Sequence, residues 1–140
     1  MKLSVYTDGG SRGNPGPSGF GIVVYDDNKN IITKISKYIG IRTNNEAEYS
    51  ALISALSWLL DNKDVYQITD VIFYADSQLL IRQMQGKYKV KAVNIKPLYL
   101  EATKLLQNLN ISFKFHDVRR ELNAEADALA NLAMDRKTWK

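Results

Sequence analysis

The sequence predicts an α/β domain in which a five-stranded mixed sheet is flanked by helices on its faces. Near the N-terminus, apolar and polar residues alternate and turn formers separate three strand segments, which predicts an antiparallel meander. Residues 71–75 form a nearly continuous apolar run, typical of a strand buried on both faces. Helical segments separate the later strands, so we expect two parallel additions to the three antiparallel strands.

The first three predicted strands cover residues 3–7, 20–25 and 31–39. The first ends at Asp8-Gly9-Gly10, and residues 11–19 are dense in Gly, Asn, Pro and Ser, which predicts a tight loop. Residues 26–30 predict a hairpin turn.

Residues 43–45 open the first helix, where an Asn side chain can cap the free N–H groups. Its apolar stripe is Leu52, Ala55, Leu56 and Leu59. Asp76-Ser77 caps a short helix over 78–85, and a basic loop follows at 86–91. The last three predicted elements are a helix from Pro97 to about Leu109, a strand over 111–115 and a helix from about Asn123 through Leu132.

Composition indicates one domain spanning residues 1–140. There are no cysteines, which excludes disulfides and thiolate metal sites and fits a reducing cytoplasm. We see neither a signal peptide nor an apolar run long enough for a membrane span, and we expect a cytoplasmic monomer. The net charge of +4 is compatible with a polyanionic partner and equally with simple solubility.

Four acidic residues are candidates for a metal site. Asp8 and Asp76 end predicted strands, so they converge if those strands are neighbours. Glu48 and Asp127, on helices, could reach the same point. Four converging carboxylates can all ionise only around cations, and oxygen ligands favour Mg²⁺ or Mn²⁺. Taken singly, however, an Asp after a strand is often only a turn residue or a helix cap.

The sequences around these acids resemble type 1 ribonuclease H over nearly the whole chain. The motifs are YTDGG, GNPG and GFG at residues 6–10, 13–16 and 19–21, TNNEAE at 43–48, DSQ at 76–78 and NAEADALA at 123–130. The resemblance implies a ribonuclease H-like fold and two metal ions held by Asp8, Glu48, Asp76 and Asp127. It also implies hydrolysis of the RNA strand of RNA–DNA hybrids to 5′-phosphate and 3′-hydroxyl ends. The motif selects Glu48 as the ligand, which leaves Glu46 as a capping or solvent-facing acid.

The resemblance also implies substrate contacts. Glycine-rich backbone can approach a sugar closely, and 2′-hydroxyls distinguish RNA from DNA. Thr43 and Asn44, at a helix N-terminus, resemble a pocket for a DNA phosphate, although Asn44 could equally be a plain cap. The expected contacts to the RNA strand are Gly9, Gly10, Ser11, Asn14 and Gln78, with Arg12 on a phosphate.

Two departures place the sequence in a subgroup of that family. The loop histidine of many members is absent, and residues 118–122 read VRREL instead. There, Arg120 is our first choice and Arg119 our second for stabilising charge on phosphate. We interpret His116 as a strand-end side chain. The second departure is a short basic loop, which replaces the larger basic protrusion of other members and contains Lys87, Lys89, Lys91 and Lys96. This loop either contacts DNA phosphates or is an ordinary solvated loop.

Two alternatives stay open. The fold serves other nucleases, including ones that cleave double-stranded RNA, and a degenerate member can bind nucleic acid without cleaving it. Degenerate members usually lose a carboxylate, and this sequence retains all four.

Overall fold

The computed structural model describes residues 1–137 and contains a five-stranded sheet in the order β3-β2-β1-β4-β5 with four α-helices. None of the helices in these residues is long and apolar enough to cross a membrane. A short 3₁₀ turn, Arg120–Asn123, precedes the last helix. The elements are β1 (Lys2–Ser11), β2 (Gly16–Tyr25), β3 (Ile31–Arg42), α1 (Asn44–Asn62), β4 (Asp70–Ala75), α2 (Gln78–Met84), α3 (Lys96–Leu109), β5 (Ser112–Asp117) and α4 (Ala124–Arg136).

Strand β1 lies at the centre of the sheet. It pairs antiparallel with β2 and parallel with β4, and β5 adds parallel to β4. The predicted mixed sheet, three antiparallel strands followed by two parallel ones, is therefore confirmed. Because β1 and β4 are neighbours, the end of β4 lies beside the second half of β1, where Tyr6 is opposite Tyr74.

The predicted loop between the first two strands was too long. Gly9 pairs with Phe20 and Gly10 with Gly19, so both strands continue through the glycine-rich segment and only residues 12–15 connect them. Gly9 and Gly19 let helices approach the sheet, whereas Gly13, at φ 91°, lies in the tight connection that the sequence predicts and Gly16 packs against it.

The main core lies on one face of the sheet, under α1. The stripe predicted for that helix is confirmed, since Leu52, Ala55, Leu56 and Leu59 are all buried. They belong to one cluster with apolar residues of the strands, such as Val5. Burial of these side chains is the dominant stabilising term in a domain of this size.

The prediction that the fourth strand is buried on both faces was half wrong. Val71, Phe73 and Ala75 are buried, but Ile72 and Tyr74 are only partly so. The reason is that α4, the one helix that residues 1–137 place on the second face, packs mainly on β2, β3 and β1 rather than on β4.

Two glycines on β2 determine how closely α4 approaches the sheet. A Cβ at Gly21 would lie 2.2 Å from the carbonyl oxygen of Ala126, and one at Gly19 would lie 2.8 Å from the Cβ of Ala133. On the opposite face, a Cβ at Gly9 would lie 2.3 Å from the backbone of Ala47 in α1. The two helices therefore sit directly against the strand backbones.

We predict that Gly21→Ala destabilises the protein by about 1–3 kcal/mol, because the methyl group must displace the backbone of α4. Gly10→Ala is the matched control, since its Cβ would meet only the flexible end of Met134 at 3.3 Å. Chemical denaturation of both variants measures the difference. Equal losses of unfolding free energy would contradict the close approach of α4.

Candidate active site

Three carboxylates from different elements converge beside the central strand. Asp8 comes from β1, Glu48 from α1, and Asp76 directly follows β4. They offer oxygen atoms that all lie within 4.8 Å of one another. Asp8 and Glu48 are 8% and 6% exposed, and Asp76 is half-buried. The order of the strands and the close approach of α1 bring these three groups together.

The fourth predicted acid, Asp127, adjoins this group without being part of it. It lies in the first turn of α4, is half-buried, and both hydrogen-bonds to and repels Asp8. Asp8 is thus the common neighbour of the other three carboxylates.

The crowding changes the acidity of the buried groups. Burial, followed by repulsion from Glu48 and Asp76 and by the contact with Asp127, raises the pKa of Asp8 to about 9. Burial raises the pKa of Glu48 to about 8; the Gly9 N–H opposes the increase and Asp76 adds to it. Without a cation, therefore, the group retains protons near neutral pH.

The donor set fits a divalent cation. Oε1 of Glu48 accepts a hydrogen bond from the Gly9 N–H at 2.7 Å, which orients the carboxylate. Its other oxygen, Oε2, is buried and has no hydrogen-bond partner among residues 1–137. A bound cation would supply that partner and remove the repulsion. A ligand set made only of carboxylates suits Mg²⁺ or Mn²⁺.

These carboxylates line an open cavity of about 870 Å³. Several other residues that line this cavity lie outside the sequence motifs and were not predicted. Asp117 ends β5 beside the end of β4, which is a strand-end position like that of Asp76. Asn131 and Met134 follow Asp127 at helical spacing, which could have indicated a shared face. The lining residues are Asp8, Gly9, Gly10, Ser11, Arg12, Asn44, Asn45, Glu48, Asp76, Ser77, Gln78, Asp117, Val118, Arg119, Arg120, Asp127, Ala130, Asn131 and Met134.

The N-terminus of α1 is tied to the loop after β1. Thr43, not an asparagine, is the N-cap, and it forms a capping box with Glu46, as expected for a capping acid. Asn44 instead accepts a hydrogen bond from the Ser11 N–H at 2.8 Å, and the Asn44 N–H donates to Asn14 Oδ1 at 2.9 Å. Asn14 and Thr43 thus support the rim of the cavity without lining it.

At the opposite rim, Ser77 caps α2 by accepting a hydrogen bond from the Leu80 N–H at 3.2 Å. The alternative that Asp76 is merely a helix cap is thereby excluded. Gln78, exposed, begins the same helix. Arg12 pairs with Asp135 and hydrogen-bonds to Asn131, so its guanidinium is held against α4.

The remaining predicted residues either line the cavity at exposed positions or lie outside it. Arg119 and Arg120 are exposed but line the cavity, whereas His116 is exposed on β5 with its ring near Tyr74. Lys87 and Lys89 lie in the exposed loop between α2 and α3, outside the cavity.

Comparison with known proteins gives consistent family matches. A family model described as reverse transcriptase-like matches residues 6–133. A bifunctional protein of Mycobacterium tuberculosis is 40% identical over 96% of the chain but only 36% of its own length. Ribonuclease HI of Halobacterium salinarum is 36% identical over 96% of the chain and 65% of its own length. Ribonuclease H of Ruthia magnifica is 32% identical over 96% of the chain and 97% of its own length.

The chain therefore spans about a third of the length of the M. tuberculosis protein and about two thirds of the length of the H. salinarum protein. Among solved structures, LC11-RNase H1 in complex with an RNA/DNA hybrid superposes with a TM-score of 0.91 at 42% identity, covering 96% of this chain and 98% of that one. RNase H1 of H. salinarum superposes with a TM-score of 0.89 at 35% identity, covering 97% and 99%.

We predict that Asp8→Asn stabilises the metal-free protein increasingly as pH rises. The folded-state pKa of Asp8, about 9, exceeds its ordinary value of 3.8. The stability contributed by the protonated group is therefore fully present below about pH 4 and lost as pH rises toward about 9. Asparagine does not titrate, so the variant avoids this loss. Melting in EDTA should show an advantage that grows from about pH 5 to about pH 9, reaching several degrees, since about 1 kcal/mol shifts such a domain by roughly 2–8 °C.

Glu101→Gln, at an exposed position on α3, is the control and should show no such trend. Excess Mg²⁺ should reduce the advantage of the Asn variant, because the cation stabilises only the intact site. A melting-temperature difference that is independent of pH would contradict the crowding of charge at Asp8.

Proposed function

The chain belongs to the type 1 ribonuclease H family, and on that premise we propose that it is an endonuclease that hydrolyses the RNA strand of RNA–DNA hybrids. The observation that carries the proposal is the convergence of Asp8, Glu48 and Asp76, with Asp127 adjoining, in an open cavity of this fold. Similarity to a ribonuclease H1 solved with an RNA/DNA hybrid supports the choice of substrate. The expected products carry 5′-phosphate and 3′-hydroxyl ends.

The four carboxylates would hold the metal, which we propose to be Mg²⁺, with Mn²⁺ as the alternative and two ions when substrate is bound. Such ions activate a water molecule and stabilise the charge that develops on the leaving oxygen. The protein's own contribution is to position the ligands. The Gly9 N–H holds one oxygen of Glu48 in place, which leaves Oε2 available to the cation.

Recognition of the hybrid is assigned to the rim of the cavity. Gly9, Gly10 and Ser11 present backbone to the RNA strand, where a side chain at Gly9 would be blocked by α1. Gln78, which is exposed, lines the same cavity. The backbone of residues 9–11 and the side chain of Gln78 would contact 2′-hydroxyls, the groups that distinguish RNA from DNA. Asn14 adds support through its hydrogen bond to α1.

Cationic groups and a helix end would contact phosphates. Thr43 and Asn44 stand at the N-terminus of α1, where the helix dipole favours an anion. Arg120 lines the cavity and would stabilise charge at the scissile phosphate. Arg12 would contact a phosphate only by releasing or sharing its pairing with Asp135.

Lys87 and Lys89 would contact the DNA backbone beyond the cavity, each adding about one unit to the salt dependence of binding. A cytoplasmic location, suggested by the absence of cysteine, and a monomeric state complete the proposal.

A panel of labelled substrates tests the function directly. With Mg²⁺ or with Mn²⁺, the protein should cut the RNA strand of a hybrid and leave DNA duplex and double-stranded RNA intact. Cleavage of double-stranded RNA at a comparable rate would indicate a nuclease with a different substrate. Binding of the hybrid without cleavage in either metal would indicate a non-catalytic module.

The pair Glu48→Gln and Glu46→Gln separates metal ligation from helix capping. Removing a group that only hydrogen-bonds to a metal ligand already lowers metal affinity or activity by about 10–100-fold. Removing a direct ligand, as in Glu48→Gln, should therefore reduce hybrid cleavage by more than about 100-fold. Glu46→Gln retains a capping acceptor for the Thr43 N–H and should keep near-normal activity. Initial cleavage rates of both variants, with hybrid binding measured in parallel, test whether Glu48 is the metal ligand and Glu46 the capping residue. Equal activities would contradict the assignment of Glu48.

Arg120→Ala should lower kcat by about 10–100-fold, somewhat less than for a buried preorganised donor because Arg120 is exposed. Arg119→Ala, its matched neighbour, should have a smaller effect. Single-turnover cleavage together with hybrid affinity separates catalysis from binding. A larger effect at Arg119, or a change in affinity alone at Arg120, would overturn our order of preference.

A further inference from the structure

A second cavity, of about 600 Å³, lies on the same face of the sheet as Asp8 but beyond the start of α4. The segment from residue 119 to residue 126 separates the two cavities. Arg119 and Arg120 line the carboxylate cavity, whereas residues 121–126 line the second one. None of the described residues lines both cavities, and the proposed hydrolysis does not use the second one.

Tyrosines from three adjacent strands line this second cavity, which we call the tyrosine cavity. Tyr6 of β1 stacks on Tyr74 of β4 with ring centroids 4.6 Å apart, and Tyr25 of β2 meets Tyr6 edge-on at 5.5 Å. All three rings are half-buried. They remain accessible because α4 covers the glycines of β2 and stops short of the tyrosines. Tyr6 and Tyr74 cover one face of each other, and the His116 ring lies 6.0 Å from Tyr74, so a cation would be attracted to the ring faces left open to the cavity.

An unsatisfied acceptor adjoins the rings. Asn123 is 1% exposed, and its side-chain nitrogen donates to the Thr7 carbonyl at 2.9 Å, which fixes the orientation of the amide. Its Oδ1 is buried and has no hydrogen-bond partner in the part of the chain that the structure describes, although the residue lines the tyrosine cavity. A buried carbonyl oxygen left in this way is costly, and a donor entering the cavity would satisfy it.

The rim of the tyrosine cavity is acidic. Asp27 approaches from the β2–β3 turn, and Glu121 and Glu125 from the segment around the start of α4. Some of the charged groups at the rim already have partners. Oδ1 of Asp26 accepts two hydrogen bonds within its turn, and Glu125 pairs with Lys34 at 3.3 Å. Among the described residues that line the cavity, Lys29 is the one cation. The two glutamates also offset the positive end of the α4 dipole.

We propose that the tyrosine cavity is a docking site for an arginine side chain of a basic peptide segment in a protein partner. A planar guanidinium can stack on a tyrosine while it donates to Asn123 Oδ1 and to a rim carboxylate, a combination that lysine reproduces poorly. This proposal does not depend on the hydrolytic function.

A peptide fits better than nucleic acid or a small cation. Carboxylates at the rim repel phosphates, which disfavours the nucleic-acid backbone as an occupant. The acids stand on two sides of the opening, and Leu122 beside them is 66% exposed. Several cations and apolar groups spread along an extended chain would engage all of these features, whereas one small ion would engage only the tyrosines.

The probe is a capped Gly-Arg-Gly-Arg-Gly peptide, titrated into isotopically labelled full-length protein and followed by amide chemical shifts. We expect saturable shifts at residues 121–126 and at the β2–β3 turn, with the affinity falling as salt increases. The same peptide with citrulline in place of arginine keeps the shape but loses the charge and should not bind. The lysine version should bind more weakly than the arginine one.

Variants locate the site. Tyr74→Ala should weaken binding by about 2- to 30-fold, whereas Tyr74→Phe, which keeps the ring, should bind nearly normally. Asp27→Asn and Glu121→Gln should each weaken it by about 1.5- to 5-fold. Glu101→Gln, on the distant α3, is the charge-matched control and should have no effect. These charge variants leave the apolar core intact, so the test does not depend on the folding of Tyr74→Ala.

Equal binding of the citrulline peptide would overturn the proposal, as would shifts centred on Gly9, Glu48 and Asp76 instead of the tyrosine cavity. Absence of any shift at the highest soluble peptide concentration would also overturn it. Hybrid cleavage by Asp27→Asn should equal that of the parent protein, so a failed docking test and a failed nuclease assay remain distinguishable.

Discussion

Repulsion among carboxylates beside the central strand is the constraint on which the rest of this structure depends. Asp8, Glu48 and Asp76 present oxygens within 4.8 Å of one another, and burial removes the water that would screen them. Such an arrangement opposes folding in the absence of a cation and therefore needs a scaffold stable enough to enforce it. The buried cluster beneath α1 supplies that stability, and the same helix carries Glu48.

The scaffold enforces the arrangement by direct contact between helices and strand backbone. Gly9 lets α1 rest on β1, and Gly19 and Gly21 let α4 rest on β2, so that both helices carry their acids to the same strand from opposite faces. A methyl group at these glycines would displace a helix that carries a carboxylate. Stability of the fold and geometry of the site are thus set by the same few glycines. The N–H of one of them, Gly9, also orients Glu48.

Much of this was predictable from the sequence, for identifiable reasons. The number of strands and their antiparallel or parallel direction followed from hydrophobic periodicity and from the helices between the later strands. The adjacency of β1 and β4 was left open, and the acids were identified by the motifs around them. The length of β1 and β2 was not predictable, because a glycine that serves a turn and a glycine that serves a helix contact look alike in sequence. The cap of α1 was misassigned because Thr43 and Asn44 are equally capable of capping. The tyrosine cavity could not be foreseen, since Tyr6, Tyr25 and Tyr74 meet only through the register of three strands.

The position of Asp127 on α4 has a consequence for how the site responds to local unfolding. Asp8, Glu48 and Asp76 lie on or beside β1, α1 and β4, whereas Asp127 lies on α4, which packs on β2, β3 and β1. Within residues 1–137, the main core beneath α1 contains no residue of α4. With the proposed four ligands, detachment of this one helix from the sheet would remove a ligand while the core persists. Metal binding would then be lost before the rest of the fold.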